Sequence, residues 1–462
     1  MLGIKTKLSS FLEKPAAIFL VLCLFFGTLS AIYVPQLSVN DEQMHYLRAY
    51  SLSEAAIQST NCSYPQEVID QAKGAPASHY DSNFSTSLNT DNTRGYSCGS
   101  ATSYSPVIHI PQAIGIFFAK LFETSSGALV LLGRLANLAF YAASLYFIIK
   151  HVRVGKWVFV VVGLLPLMVH TAASLSGDVV NNIAVMAFIA LTLNLFTQKT
   201  LLKKKQIALL FALGALLALT KSVNLLLLAP LVFLPSTLFK PNVKLKKLPF
   251  NIQKWSIGIL LVVFSALALF TWQAAYGAST LSTPHSTQLT SVTDSIRILF
   301  NTYLNPTIGY TDFIFKGIAG SFSSYKYNLP LFVLSISMLV FAFALLVKTK
   351  EDSLLNLNQT KTLAATNALI IFMFTLAVSY AMYTAWATLP VIGGPGAYYA
   401  EGVQGRYFTA LLVLLIPVGL LLKRYVRIEV SSPKTTGLII ILSSALVLAY
   451  YIFQTLWAFK DL

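Results

Sequence analysis

The residues best suited to acid–base chemistry stand together directly after the first apolar segment of the chain. Asp41, Glu42, His45 and Arg48 lie in one short stretch, and the spacing of Asp41, His45 and Arg48 predicts a shared face if that stretch is helical. Adjacent side chains on a helix diverge, so one carboxylate should face a site. Asp41 is the first candidate for a general base and Glu42 the second, and the alternative is an acidic helix N-terminus.

Charged residues that could bind or orient a phosphate occur much later in the chain. Arg406 follows a glycine-rich approach and precedes an apolar segment that begins at Tyr407, and a guanidinium binds phosphate oxygens bidentately. Lys221 lies in a short turn between two apolar segments, where it faces either a lipid headgroup or a substrate phosphate, and Arg134 is equally ambiguous. For Arg406 the alternative is snorkelling to headgroups.

Arg48 is a further candidate for the donor phosphate, and Tyr407 either helps to bind it or belongs to the aromatic belt. Asp178, which begins a further apolar segment, and His45 are expected to line the substrate cavity, and the alternative for Asp178 is a helix cap.

The remaining candidates are expected to line a cavity or to form a disulfide in the polar stretch that follows the first apolar segment. Tyr104 and His109 stand in a proline-containing segment that could line such a cavity, with a structural turn as the alternative, and Gln404 precedes Arg406. If the polar stretch is extracytoplasmic, a disulfide between Cys62 and Cys98 would be worth about 3–4 kcal/mol. Two free thiols are the other interpretation.

Composition identifies a membrane protein with many spans. The 462 residues are 56% hydrophobic and 11% charged, with a mean hydropathy of +0.68, whereas a soluble protein carries roughly a quarter charged residues. The net charge of +16 comes from Lys and Arg in short loops between apolar runs. Such an excess follows the positive-inside rule and does not indicate nucleic-acid binding.

The elements that must position the candidate residues are eleven predicted transmembrane helices in an all-α fold. An apolar segment at 107–122 begins with two prolines and a histidine, and it is predicted to be an interfacial or re-entrant helix. Residues 291–304 are predicted to form an amphipathic helix on the membrane. The predicted spans are 15–34, 129–149, 157–173, 179–196, 206–219, 224–239, 255–276, 331–347, 363–383, 407–422 and 437–457.

Charge fixes the predicted topology. With 107–122 left outside the membrane, every dense basic cluster falls on one side, assigned to the cytoplasm together with the N-terminus. The predicted regions are a first helix (1–35), an outer loop with interfacial helices (36–126), a membrane core (127–276), a second outer loop (277–328) and C-terminal spans (329–462) with an outer loop at 384–406. No P-loop or dinucleotide fingerprint occurs, so chemistry is expected on the extracytoplasmic face with lipid-borne donors.

Two motifs carry a resemblance to a known family. The stretch Pro35-x5-Asp41-Glu42-x2-His45-x2-Arg48-Ala49-Tyr50 and the run Gly402–Phe408, with Lys221 and Gly317–Gly320, resemble a family of bacterial polytopic membrane proteins of unknown function. That family is similar in architecture to the GT-C glycosyltransferases. The resemblance implies a polyprenyl-phosphate-linked sugar donor, with Asp41 matching the catalytic acid of the first outer loop and 104–111 the interfacial element. The chain departs from the mannosyltransferase motif and has no soluble outer domain.

The residues and the resemblance together predict a glycosyltransferase of a bacterial cytoplasmic membrane. Its expected acceptor is a cell-envelope glycan or teichoic acid, and its expected partners are the lipid bilayer, the lipid-linked sugar, and a polyprenyl-phosphate glycosyltransferase and flippase that supply the donor. No cofactor is required, although Asp41 and Glu42 could hold a divalent cation. The alternatives are a transporter or flippase of a lipid-linked precursor, whose key charges should lie in mid-membrane, and a glycan polymerase or ligase.

Overall fold

A computed structural model confirms the all-α class predicted from the sequence. It describes residues 11–57, 62–74, 87–97, 101, 104–122, 125–241, 251–277, 291–322, 327–389, 391–394 and 396–459. The α-helices of these residues are α1 (Pro15–Tyr33), α2 (Glu42–Ser53), α3 (Gln66–Lys73), α4 (Ile110–Leu121), α5 (Ser126–His151), α6 (Lys156–Gly163), α7 (Pro166–Ala172), α8 (Asp178–Phe196), α9 (Lys204–Thr220), α10 (Ile252–Trp272), α11 (Val292–Tyr303), α12 (Tyr310–Ala319), α13 (Leu331–Leu346), α14 (Leu357–Met382), α15 (Arg406–Thr409), α16 (Ile416–Leu422) and α17 (Pro433–Ala458).

Short irregular helices and two small antiparallel strand pairs connect these elements. The strand pairs are β1 (Cys62–Pro65) with β2 (Thr93–Tyr96), and β3 (Ser321–Phe322) with β4 (Tyr327–Asn328). The 3-10 helices are Pro106–His109, Ser222–Phe233, Ser236–Leu238, Lys350–Leu354 and Ala410–Leu415, and π-helical turns follow α10 (Gln273–Gly277) and α14 (Tyr383–Ala387).

Six helices in the described ranges are long and apolar enough to cross a membrane, which supports a multi-pass membrane protein. They are Pro15–Tyr33, Ser126–His151, Asp178–Phe196, Ile252–Ala275, Leu357–Ala387 and Pro433–Ala458. Four shorter apolar helical segments accompany them, at Pro106–Leu121, Ser222–Phe233, Leu331–Leu346 and Arg406–Leu422. The predicted count of eleven spans is not confirmed.

Prolines account for two of the differences between the predicted spans and the structure. The span predicted at 157–173 is divided into α6 and α7, and Pro166 is the first residue of α7. The span predicted at 224–239 is a 3-10 helix, Ser222–Phe233, with Pro230 inside it. Proline lacks an N–H donor and clashes with the preceding turn, so an uninterrupted α-helix is disfavoured at both places.

The segment predicted to be interfacial is a helix with two different faces. One face of α4 packs on α5, where a Cβ on Gly115 would lie 2.3 Å from the carbonyl oxygen of Leu132. The opposite face exposes the large apolar side chains Ile110, Ile114, Phe117, Phe118 and Leu121. α11, inside the predicted amphipathic helix 291–304, likewise exposes Val292, Ile296 and Phe300. Apolar stripes of this kind suit helices that lie against lipid.

A small second core supports the polar segment that follows α1. It joins Tyr46 and Leu47 of α2 to Val68 of α3, and these pack against Ile116 of α4 and Leu129 of α5. The described parts of this segment therefore pack against α4 and α5, and these contacts fix the position of α2.

Candidate functional site

Four charged residues form a continuous chain of ion pairs. Arg406 pairs through Nη2 with a carboxylate oxygen of Asp41, and its Nε lies 3.6 Å from Oδ2 of Asp178. The other oxygen of Asp178 accepts a hydrogen bond of 2.8 Å from Nζ of Lys221. We call Asp41, Arg406, Asp178 and Lys221 the ion-pair chain. The four residues alternate in sign, and the structure assembles them from widely separated parts of the sequence.

Each member of the ion-pair chain stands at the end of a helix. Asp178 is the first residue of α8 and Arg406 the first of α15, while Lys221 separates α9 from the following 3-10 helix. Asp41 precedes α2 in a left-handed conformation with φ of 62°, which Asp tolerates better than most residues. Helix ends are where an apolar bundle can bring charge to its surface without burying it in mid-membrane.

Backbone-to-backbone packing fixes the position of Arg406. A Cβ on Gly405 would lie 2.1 Å from the carbonyl oxygen of Ile314 in α12, so only glycine fits at this crossing. The hydroxyl of Tyr310 accepts a hydrogen bond from the N–H of Gly402 (2.8 Å) and donates one to the carbonyl of Val403 (2.9 Å). The glycine-rich approach to Arg406 is therefore clamped against α12.

The cations of the ion-pair chain keep capacity for a further anion. Nε of Arg406 is buried and makes no hydrogen bond to any described residue, and Nη1 reaches the carbonyl of Asn40 only at 3.4 Å. Burial lowers the pKa of Lys221, but Asp178, Tyr104 and Tyr407 outweigh it and raise that pKa above its usual value. Lys221 therefore stays charged, with three N–H donors of which one is used by Asp178.

Tyr407 lies beneath both cations. Nζ of Lys221 is 4.6 Å from the centroid of its ring, and the guanidinium carbon of Arg406 is 5.7 Å from it. A cation over an aromatic face is attracted by the ring quadrupole. The ring thus holds the two positive groups side by side.

A cavity opens beside Lys221 and continues away from the charged residues. Its volume is about 310 Å³. The polar end is formed by Tyr104, Lys221 and Tyr407 together with Asn181, whose amide oxygen accepts a hydrogen bond of 2.7 Å from Asn224. The remaining walls come chiefly from apolar side chains of α9, α10 and α14, among them Leu219, Leu269, Phe374, Val378 and Met382.

Two buried imidazoles lie next to the ion-pair chain. Nδ1 of His45 and Nε2 of His109 are 2.8 Å apart, so one ring donates a proton to the other. Burial lowers the pKa of both rings, and Asp178 and Asp41 only partly offset it for His45. Nδ1 of His109 is buried and has no hydrogen-bond partner in the described residues. The pair is therefore neutral, and His45 lies next to the charged group.

The second candidate acid, Glu42, is placed away from this group. It is fully buried and binds Arg134 through two hydrogen bonds of 2.8 and 2.7 Å, and its oxygens also accept from the backbone N–H of Leu175 and Val39. Both oxygens are thus occupied, and Glu42 cannot join Asp41 in holding a cation. In the part of the chain that the structure describes, no cluster of three or more His, Cys, Asp or Glu could hold a metal ion.

Arg134, whose role is ambiguous from the sequence, is a structural residue. Besides Glu42, its guanidinium donates to the carbonyls of Ala31, Val34 and Pro35 at 3.2, 2.7 and 2.8 Å. These carbonyls belong to the end of α1 and the residues after it, where a helix leaves acceptors unsatisfied. The signal available in the sequence is an arginine inside an apolar segment, which demands a buried partner.

The structure does not bring Arg48 to the candidate site. Its side chain is buried, and it donates to the carbonyls of Ala56 and Ile57 at 3.2 and 2.9 Å. α2 begins at Glu42, and Asp41 lies outside the helix. The helical spacing that predicts a common face for Asp41 and Arg48 therefore does not apply.

The remaining predicted site residues are placed as follows. Gln404 lies two residues before Arg406, and its side-chain oxygen is buried without a hydrogen bond from any described residue. Cys62 is disulfide-bonded and Cys23 is a free buried thiol. Cys98 lies outside the described residues, so its pairing with Cys62 stays a prediction.

The helical bundle with charges at its helix ends defines a polytopic membrane protein. The chain belongs to a family of predicted membrane proteins (DUF2142), whose model matches residues 24–415. This match covers the ion-pair chain, the cavity and both histidines. No curated protein and no solved structure matches the chain.

Proposed function

We propose that this protein is a membrane glycosyltransferase that moves a sugar from a polyprenyl-phosphate donor to a cell-envelope glycan or teichoic acid. The observation that carries the proposal is that the ion-pair chain lies beside the amphipathic cavity. Lys221 stands at the polar end of that cavity. Arg406 lies beside it over the same Tyr407 ring, and its Nε makes no hydrogen bond to a described residue. The apolar walls beyond these residues suit a hydrocarbon tail. A single ligand with a phosphate head and a long apolar chain would therefore bind both the cations and the apolar part of the cavity.

Phosphate binding in this scheme releases the general base. The carboxylate of Asp41 is the most exposed member of the ion-pair chain, at 59% of its side-chain surface, whereas Asp178 is 15% exposed. A donor phosphate that binds Arg406 takes the place of Asp41, because both are oxyanions that accept from the same guanidinium. Asp178 stays in place and keeps Lys221 and Arg406 oriented.

The freed carboxylate then performs the proton transfer. The acceptor hydroxyl gives its proton to Asp41 while its oxygen forms a bond to the anomeric carbon of the donor sugar. The bond between that carbon and the phosphate oxygen breaks, and the polyprenyl phosphate leaves with the electron pair. Arg406 and Lys221 stabilise the negative charge on the departing phosphate. His45 and His109 lie next to these residues and are neutral.

The face on which this reaction takes place follows from the distribution of positive charge. The loops rich in Lys and Arg are expected in the cytoplasm by the positive-inside rule, which puts the ion-pair chain on the extracytoplasmic side of a bacterial membrane. Nucleotide sugars are not available there, so a lipid-linked sugar is the appropriate donor. A separate polyprenyl-phosphate glycosyltransferase and a flippase would supply it.

The test is a comparison of surface glycan from cells that carry Asp41→Asn or Arg406→Ala in place of the native residue. We expect both variants to accumulate at normal levels and to lack one sugar substituent of the envelope polymer, with the lipid-linked donor building up. Asp312→Asn is the matched control, because Asp312 pairs with Lys316 within α12 and is largely exposed. It should leave the glycan unchanged. Unchanged glycan in Asp41→Asn and Arg406→Ala would refute the enzymatic role.

A further inference from the structure

We propose a second anion site at the opposite end of the bundle, which binds the phosphate headgroup of an acidic phospholipid. The site is a cavity of about 520 Å³ that is separate from the one beside Lys221. It lies where the start of α1, the start of α6, the end of α13 and the start of α17 meet.

Unpaired cations line this cavity. Arg153, Lys156 and Lys350 all border it, and among the described residues none of them has a carboxylate within ion-pair distance. Lys348 and Lys423 also border it, but they pair with Glu429 and Asp352 respectively. The first three residues therefore supply positive charge that no neighbouring side chain neutralises.

The acids at the cavity do not cancel this charge. Asp352 is occupied by Lys423, and Glu13 lies 3.8 Å from Lys434. Glu351 is the one lining carboxylate, within the described part of the chain, that has no cation at ion-pair distance. Three unpaired cations against one unpaired acid leave an excess of positive charge that an anion would balance.

Two helix starts at the cavity add to its positive potential. α1 begins at Pro15 after Lys14, and α6 begins at Lys156 after Gly155. Neither helix has a side-chain cap or an acid in its first turn. The positive end of the helix dipole at such starts favours anions. Pro15 has no N–H, so the first residues of α6 offer the N–H donors. These helix starts strengthen a site that the cations and the cavity already define.

The apolar part of the cavity wall identifies the ligand as a lipid. Leu345 of α13 and Ile416 and Leu420 of α16 line the same space as the cations. Inorganic phosphate has no apolar groups to contact these side chains, whereas the glycerol and first acyl carbons of a phospholipid would cover them. Basic pockets between membrane helices on the positively charged side bind acidic lipid headgroups in this way.

The two sites stand at opposite ends of α8. This helix begins at Asp178 of the ion-pair chain, and Arg153 donates a hydrogen bond of 3.4 Å to Thr197 just beyond its end. Its 19 residues have a length of about 28 Å. This separation matches the two headgroup layers of a bilayer. The second site therefore serves the leaflet at the basic end and does not depend on the proposed glycosyl transfer.

The experiment is native mass spectrometry of the purified full-length protein with added phosphatidylglycerol or phosphatidylcholine. We expect one phosphatidylglycerol to bind saturably and more tightly than phosphatidylcholine. The variant Arg153→Gln/Lys156→Gln/Lys350→Gln should bind it at least about tenfold more weakly. The control variant Lys199→Gln/Lys205→Gln/Lys361→Gln removes the same charge from exposed positions outside the cavity, and it should bind as the native protein does.

Three outcomes would overturn the proposal. They are equal binding of both lipids, equal weakening by the control variant, and displacement of the lipid by millimolar inorganic phosphate alone. Thermal unfolding in phosphatidylcholine, compared with the native protein, shows whether the variants fold. If the cavity variant does not fold, Lys350→Gln alone provides the test, because Lys350 is exposed.

Discussion

Arg406 and Asp41 are 365 positions apart in the chain, yet the guanidinium of one meets the carboxylate of the other. Arg406 also lies beside Asp178, so it bridges an exposed acid and a largely buried one. The two contacts differ in how easily a ligand can replace them. Asp41 can turn toward solvent, whereas Asp178 is held by Lys221 as well. This asymmetry is the basis of the first prediction.

Asp41→Asn should change ligand binding and activity in opposite directions. The amide no longer competes as an anion for Arg406, so farnesyl phosphate, used as a soluble probe, should bind about tenfold more tightly. Transfer of sugar should be lost, because the amide cannot accept the proton. Titration of the purified variant and glycan analysis of cells measure the two effects. Weaker probe binding would contradict the exchange of Asp41 for phosphate.

Glu42→Gln should destabilise the fold although Glu42 neighbours Asp41 in sequence. The substitution leaves the buried charge of Arg134 without its counter-charge, and breaking a buried ion pair costs about 3–5 kcal/mol. Thermal unfolding in detergent should therefore show a clear drop in melting temperature. Asp312→Asn, which breaks an exposed pair within α12, should cost no more than about 1 kcal/mol. A native-like melting temperature for Glu42→Gln would show that the pair is dispensable.

The sequence shows where the charged residues stand, but it does not show which of them form ion pairs. Asp41, Asp178, Lys221 and Arg406 all stand at the ends of apolar segments, and the cost of charge in lipid makes such positions conspicuous. Nothing local assigns Arg406 to Asp41 and Arg134 to Glu42, since each pairing depends on how distant helices pack. The same limit explains the span boundaries, because Pro166 and Pro230 mark breaks whose effect depends on tertiary packing.

The backbone conformation of Asp41 explains why Arg48 does not share a helix face with it, although the sequence predicts a shared face. A helix that included Asp41 would place Arg48 on the same face two turns later. Asp41 instead adopts a left-handed conformation before α2, and Arg48 points to backbone carbonyls after the helix. Whether a helix starts one residue earlier or later is beyond what sequence patterns resolve.

The pair of His45 and His109 should make the fold sensitive to acid. Both rings have a pKa below the ordinary value of about 6.5, because they are buried and His109 also faces His45 and Arg48. Below that value the unfolded chain takes up protons that the folded chain does not, so stability falls as pH decreases from 7 toward 5. The charged groups around His45 are Asp178, Asp41, Arg406 and Lys221.

The measurement compares the pH dependence of the melting temperature in the native protein and in His109→Gln. The variant has one titrating ring fewer at this position, so its melting temperature should fall less steeply between pH 7 and 5. His170 is buried elsewhere in the bundle and contributes equally to both proteins. Identical slopes would mean that the pair takes no part in acid sensitivity.

Gly405→Ala should displace Arg406 through sterics alone. The backbone of Gly405 has φ of −57° and ψ of −31°, an ordinary helical conformation that alanine adopts freely, so no conformational strain arises. The added Cβ would lie 2.1 Å from the carbonyl oxygen of Ile314 and 2.3 Å from the carbonyl carbon of Gly317. Because both are backbone atoms, α12 and α15 must move apart, at a cost of about 1–3 kcal/mol. Arg406 then moves away from Asp178, and sugar transfer should fall about tenfold or more.

Gly258→Ala is the control, since a Cβ on Gly258 in α10 meets nothing within 4 Å. It should be neutral or raise stability by up to about 1 kcal/mol. Melting temperature and glycan analysis on both variants measure the effect, and equal behaviour of the two alanines would refute the steric role of Gly405.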